Sequence, residues 1–173
     1  MSKVFIIGAT GGVGSRLGPM LVEAGHGVTG LHRRPDQADK LLSAGITPWL
    51  GDIMFLSVAE LAVATRDCDV VVFTAGAAGS GPERTTAIDG EGVIKTVHAA
   101  RANGIARVYL VSAFMDAGRA QPRKDGFEHY MKVKRQADNA LAQSELDWVI
   151  LRPGTLVSED GNGRVNAGLA ISY

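Results

Sequence analysis

The stretch Lys3-Val-Phe-Ile-Ile-Gly-Ala-Thr-Gly-Gly-Val-Gly14 decides the fold. Val4 to Ile7 form a continuous apolar run, which reads as a strand buried on both faces. Glycines follow at positions 8, 11 and 14, and a segment of helical period opens at Val13. A turn of this kind needs small residues. The chain must turn tightly, the backbone must approach a pyrophosphate, and the helix must pack close to its strand. Free N–H groups and the positive end of the helix dipole then face the phosphates. The candidate phosphate-binding residues are Gly8, Thr10, Gly11, Gly12, Val13 and Gly14. The alternative is a tight strand–helix turn with no ligand, but the strand before and the helix after favour a nucleotide.

Outward from this turn, short valine- and isoleucine-rich runs alternate with longer helical segments. The pattern predicts strands at Lys3–Ile7, Gly27–Leu31, Thr47–Leu50, Val70–Thr74, Val108–Ser112 and Trp148–Leu151. It predicts helices at Val13–Ala24, Asp36–Ala44, Ser57–Ala64, Glu83–Asn103 and Glu128–Gln143. Fully apolar strands separated by helices imply a parallel sheet covered on both faces. Right-handed crossovers then give a doubly wound α/β Rossmann sheet in the order 3-2-1-4-5-6. Gly25, Gly45 and Gly104 punctuate helix ends. Pro19 falls inside the first helix, where a kink or a delayed start is expected. No linker or composition shift divides residues 1–173, so a single domain is expected. The stretch from Ser158 to Tyr173 is glycine-containing and lacks periodicity.

Composition narrows the function classes. Of 173 residues, 46% are hydrophobic and 21% charged, which argues against both disorder and a membrane-spanning chain. Eighteen Lys and Arg balance 18 Asp and Glu, without the basic excess of a nucleic-acid binder. The apolar run ending at Gly8 is too short for a signal-peptide core. Cys68 is the single cysteine, which fits a reducing cytoplasm. His26, His32, His98 and His129 show no metal-ligand spacing, so no metal is expected. There is no Gly-x-Ser-x-Gly nucleophile elbow.

The Gly-x-x-Gly-x-x-Gly turn combines with Gly51-Asp52, Thr74-Ala-Gly76 and Leu151-Arg-Pro-Gly154. Together these motifs resemble the short-chain dehydrogenase/reductase superfamily, from Lys3 to about Val157. Within it the chain looks like the atypical NAD(P)-binding group, NmrA-like or sugar-epimerase-like, which includes flavin/biliverdin reductase relatives. Members generally continue with a further helix and strand, so the substrate-binding part from about residue 153 is expected to be incomplete. An NAD site places a carboxylate after the second strand to hold the ribose 2′-hydroxyl. Here that stretch is Leu31-His32-Arg33-Arg34, and a guanidinium grips a 2′-phosphate where a carboxylate would repel it. Arg33 matches the arginine position of NADP-using relatives, with Arg34 as a second clamp; a solvated basic loop is the alternative. The resemblance places Asp52 and Ile53 at the adenine, although Asp52 could equally start the following helix. It places Ala75 and Gly76 under the nicotinamide ribose.

Reduction of a carbonyl needs a hydride and a proton. A tyrosine can supply the proton if a cation lowers its pKa. Tyr130-Met-Lys-Val-Lys134 has the superfamily's Tyr-x-x-x-Lys spacing, which puts both side chains on one helical face beside the stripe Val133, Ala137, Ala140 and Leu141. Ser112 matches the superfamily serine that hydrogen-bonds the substrate carbonyl. A snorkelling lysine beside a packed tyrosine, and a loop serine, are the structural alternatives. Asp89 departs from the pattern, standing where many relatives carry an asparagine that orders a proton-relay water. The charged insert Phe114–Phe127, with Arg119, Arg123 and Lys124, could be a lid or a solvated loop.

The resemblance thus implies a cytoplasmic NADPH-dependent oxidoreductase. It would act on a small carbonyl, quinone or flavin-like acceptor, as a monomer or homodimer without nucleic acid or membrane partners. The alternative is a non-catalytic NADP(H)-sensing regulator of the NmrA type. A nucleotide-sugar epimerase fits less well, since the chain lacks a sizeable substrate domain.

Overall fold

Val4, Phe5, Ile6 and Ile7 are all buried, so strand β1 (Lys3–Ile7) presents apolar side chains to both faces of its sheet. The computed structural model describes residues 1–115, 126–159 and 161–168. β1 lies between β2 (Gly27–His32) and β4 (Val70–Phe73), both parallel to it. β3 (Thr47–Leu50) joins β2, while β5 (Arg107–Val111) and β6 (Asp147–Leu151) continue beyond β4. The sheet has six strands in the order 3-2-1-4-5-6, as expected. Alternation along each strand separates two cores. Phe5, Ile7, Val71 and Phe73 face one, with Val93, Val97 and Leu141 from the helices. Val4, Ile6, Val28 and Val72 face the other, with Leu17, Leu21 and Leu41.

Helix α1 (Gly14–Glu23) carries Pro19 in its interior. Pro19 lacks the N–H that would reach the Ser15 carbonyl, yet the helix starts at Gly14 and continues through it, so the start is not delayed. The second helical segment begins as a 3₁₀ turn, Pro35–Gln37, before α2 (Ala38–Ser43). α3 (Val58–Ala64) is capped by Ser57, whose hydroxyl accepts from the Glu60 N–H while the Glu60 carboxylate accepts from the Ser57 N–H. Asp52 therefore does not start this helix.

The segment expected as one helix over Glu83–Asn103 is broken into three pieces. α4 (Pro82–Thr85) passes into a π-helical turn over Thr86–Glu91, and α5 (Gly92–Ala102) follows. The wider turn carries Asp89, which is 2% exposed. Gly90 and Gly92 make the close packing possible. A Cβ on Gly90 would stand 2.9 Å from Val133, and one on Gly92 would stand 3.1 Å from Ile53. α6 (Phe127–Ala142) buries Met131, Val133, Lys134, Ala137, Asp138 and Leu141. Lys132 and Arg135, off this face, are exposed. Among the described residues no helix is long and apolar enough to cross a membrane. Most of the charged insert, residues 116–125, lies outside the described residues, as do residues 169–173 at the chain's end.

Candidate active site

Strand order reverses between β1 and β4, and ligands of such sheets bind where the strands' carboxyl ends diverge. A cleft of about 1520 Å³ opens there. Gly8 ends β1 with φ of 94°, and a Cβ on it would sit 2.6 Å from the Ala75 backbone nitrogen. Only glycine allows the two turns to approach so closely. The Thr74 hydroxyl reinforces the contact by donating to the Ile7 and Gly8 carbonyls at 3.1 and 3.2 Å. The turn closes through Gly11 N–H to the Gly8 carbonyl at 3.0 Å.

Gly8, Thr10, Gly11, Gly12 and Val13 line the cleft, but Gly14 does not. A Cβ on Gly14 would stand 2.2 Å from the Gly8 carbonyl oxygen and 2.8 Å from Ala9 Cα. Its glycine lets α1 pack on β1. Gly12 is the opposite case: a Cβ there would meet nothing within 4 Å. The cleft therefore has free space beside the N-terminal end of α1, as a phosphate requires.

At the far rim Arg33 and Arg34 are exposed and line the cleft. Arg34 Nε lies 3.2 Å from the Asp36 carboxylate, and both side chains are largely exposed. Gln37, missed by sequence reasoning, ties this loop to the glycine turn. Its Nε2 donates to Thr10 Oγ1 at 3.2 Å while its Oε1 accepts from the Arg34 N–H at 3.1 Å. Asp52 and Ile53 line the cleft nearby. One Asp52 oxygen accepts from the Met54 N–H at 3.0 Å. Lys95, from α5, donates to the carbonyls of Ile53, Met54 and Leu56 at 2.6, 3.2 and 2.9 Å and so fixes that loop.

Ser112, Tyr130 and Lys134 line the same cleft as Ala75 and Gly76. Ser112 is 6% exposed, and among the described residues its Oγ meets no hydrogen-bond partner. Lys134 is 2% exposed, donates to the Val111 carbonyl at 3.2 Å, and stands 3.5 Å from Asp89 Oδ1. Burial pulls its ammonium below the ordinary value, against the attraction of Asp89 and Asp138. Asp89 also accepts from the Ala77 N–H at 2.9 Å, so one carboxylate joins the lysine to the turn after β4. Burial raises its carboxyl above the usual range, opposed by Lys134 and by that N–H. Burial likewise raises the Tyr130 hydroxyl, with the negative charges of Asp89 and Asp138 adding to it. The expected lowering by Lys134 is not seen: every influence on the hydroxyl raises it. Asp138, 1% exposed, accepts from Arg152 Nε at 2.8 Å and so ties α6 to the residue after β6.

Fold and cleft together define a Rossmann-type nucleotide-binding protein with a short-chain dehydrogenase/reductase arrangement of side chains. The chain belongs to the NAD(P)H-binding family, whose pattern matches residues 8–170. It is 36% identical over 167 residues to YhfK of Bacillus subtilis, described as an uncharacterised sugar epimerase, covering 95% of this chain and 77% of that protein. It is 37% identical over 169 residues to the UPF0659 protein YMR090W of Saccharomyces cerevisiae, covering 93% and 73%. A Bacillus halodurans structure, a putative NAD-dependent epimerase/dehydratase, superposes with a TM-score of 0.85 at 31% identity, covering 95% and 75%. The Escherichia coli O157:H7 anaerobillin reductase ChuY superposes with a TM-score of 0.76 at 26% identity, covering 94% and 77%. The chain thus falls in the atypical group its motifs implied, among enzymes of the NAD(P)-dependent oxidoreductase and epimerase type.

Proposed function

We propose that the protein is an NADPH-dependent oxidoreductase that delivers a hydride to a small carbonyl, quinone or flavin-like acceptor. The observation that carries this reading is Ser112 Oγ, buried without a partner among the described residues on the cleft wall shared by Tyr130 and Lys134. A buried hydroxyl left unpaired costs about 1–3 kcal/mol, which a substrate oxygen at hydrogen-bond distance would offset. The nucleotide fits by the same reasoning, since free space beside Gly12 meets the start of α1 and two arginines stand at the adenosine rim. Bound NADPH supplies the hydride.

The chain's own residues supply the rest. Ser112 donates to the acceptor oxygen, and the Tyr130 hydroxyl gives its proton there as negative charge builds. Burial keeps Tyr130 protonated at neutral pH, the form a proton donor requires. Lys134 holds a cation beside the tyrosine and, by the family resemblance, orients the nicotinamide ribose. Arg33 and Arg34 favour the 2′-phosphate of NADP over the hydroxyl of NAD. On this reading residues 1–173 are one nucleotide-binding domain working in the cytoplasm, and the segment from about 153 belongs to the substrate side, where Leu156 reaches the cleft.

NADPH consumption, followed by absorbance across a panel of quinones, flavins and small carbonyls, tests the proposal. Turnover lost on Tyr130→Phe supports it; NADPH binding with no turnover on any member of the panel overturns it. That second outcome would favour an NADP(H)-sensing regulator. One observation points that way: Lys134 is already engaged by Asp89 and the Val111 carbonyl.

A further inference from the structure

The charges lining the cleft are unevenly matched. Lys134 has Asp89 as its counter-ion, Arg34 has Asp36, and Arg33 stands beside Arg34 at the adenosine rim. Arg84 is left over. It lies on α4, is partly buried, and lines the cleft. Its Nε donates to Ser80 Oγ at 3.1 Å, and Ser80 in turn donates to the Ala77 carbonyl at 2.5 Å. This tether spends one of the guanidinium's five donors. Among the described residues the terminal nitrogens of Arg84 make no hydrogen bond, and no carboxylate lies within ion-pair distance.

Its place in the fold puts this cation on the substrate side. α4 is pinned to the first turn of α6 through His129, whose Nε2 lies 2.9 Å from Thr86 Oγ1 and 3.1 Å from the Pro82 carbonyl. That same turn of α6 carries Phe127 and Tyr130, and Ile88 lies one turn beyond α4. Phe127, Ile88 and Leu156 give the cleft an apolar lining here. A tethered guanidinium with free terminal donors grips a carboxylate bidentately.

We propose that Arg84 is the anchor of an acceptor subsite, and that the acceptor pairs an apolar body with a carboxylate. The apolar body packs on Phe127, Ile88 and Leu156 while the carboxylate takes the free nitrogens of Arg84. This inference rests on the oxidoreductase reading for the word acceptor, but its test reads binding and not turnover. Protein saturated with NADP⁺, which prevents reduction, is titrated by NMR with 4-carboxybenzaldehyde and with the neutral isostere 4-formylbenzamide. The carboxylate should bind at least about tenfold tighter, the discrimination that a charge-assisted hydrogen-bond pair gives. Arg84→Gln should abolish this preference, Arg84→Lys should keep part of it, and neither should change the NADPH Kd more than about twofold.

Equal binding of the two probes by the unaltered protein would overturn the proposal. So would a preference that survives Arg84→Gln. A large loss of NADPH affinity in Arg84→Gln would overturn it too, by assigning the guanidinium to the nucleotide. Carboxylate binding by a protein that reduces no member of the acceptor panel with NADPH would instead sink the oxidoreductase reading and leave the subsite standing.

Discussion

Asp89 and Lys134 form an ion pair that is almost wholly removed from water, at 3.5 Å. Burial disfavours the charged form of each, raising the carboxyl and lowering the ammonium. The signs follow from linkage. A raised Asp89 contributes stability that is fully present below its ordinary 3.8 and lost as pH rises through its folded value. A lowered Lys134 contributes stability present above its ordinary 10.5 and lost as pH falls through its folded value. Where both groups are charged, both contributions are gone. Removing one partner there should destabilise by about 3–5 kcal/mol, because the other charge stays buried. The double variant Asp89→Asn/Lys134→Met should match or exceed the native stability, and its advantage should be greatest where both groups are charged. Urea unfolding at acidic, neutral and alkaline pH checks it; single variants as stable as the native protein would show that the pair carries no strain. The proposed mechanism divides the neighbouring residues differently. Tyr130→Phe should lower turnover about 10²–10⁴-fold and leave the NADPH Kd unchanged, since a proton donor acts chiefly in the transition state. Lys134→Ala should lose both. Stopped-flow turnover with a parallel fluorescence titration separates the two effects, and a fully active Tyr130→Phe would remove the tyrosine from the mechanism.

The turn from β1 into α1 assigns different work to glycines only two residues apart. Gly12→Val places its side chain in open cleft, so the fold should survive while nucleotide affinity falls. Gly14→Val drives a side chain into the Gly8 carbonyl and Ala9, so the protein itself should be destabilised, on the order of the 1–3 kcal/mol typical of overpacking or more. Circular dichroism melts beside NADPH titrations separate these outcomes; a Gly12→Val variant that binds normally would misplace the phosphates. Both glycines look alike in the sequence, because the spacing encodes the turn and not which face each residue shows. The strands were legible for a simpler reason: Val4 to Ile7 and Val70 to Phe73 are apolar without interruption, which only a sheet covered on both faces accommodates. The π-helical turn at Thr86–Glu91 was not legible. Nothing local to Asp89 marks it; the turn places a carboxylate that meets Lys134 and Ala77 from distant elements. Lys95 was hidden likewise, since its three carbonyl partners lie about forty residues back along the chain. Tyr130 and Lys134 could be read from their i,i+4 spacing, but the raised hydroxyl could not, because desolvation depends on what packs around it.

Across the molecule, the cleft joins chain ends that the sheet alone leaves independent: the glycine turn after β1, the arginine loop after β2, the Lys95-pinned loop after β3, the turn after β4, and Ser112 after β5. A dinucleotide held by these segments binds only the folded chain, so its affinity adds directly to folding stability. At a free concentration one hundred times its Kd, NADPH should add about 2.7 kcal/mol. For a chain of this size each kcal/mol moves the melting midpoint by about 2–4 °C, so the expected rise is about 5–11 °C. On the proposed NADP preference, NADH at the same concentration should raise it less, because Arg33 and Arg34 would then face a hydroxyl in place of a phosphate. Both arginines are exposed, so their advantage is screened, and the gap between the two cofactors should narrow as salt is added. Arg33→Ala should narrow it further without changing the midpoint of the free protein, since Arg33 has no part in the core. Differential scanning fluorimetry at matched ionic strength reads all three effects. Equal shifts with NADPH and NADH, unmoved by Arg33→Ala, would end the case for NADP while leaving the glycine turn as the phosphate site, because the two rest on separate strands.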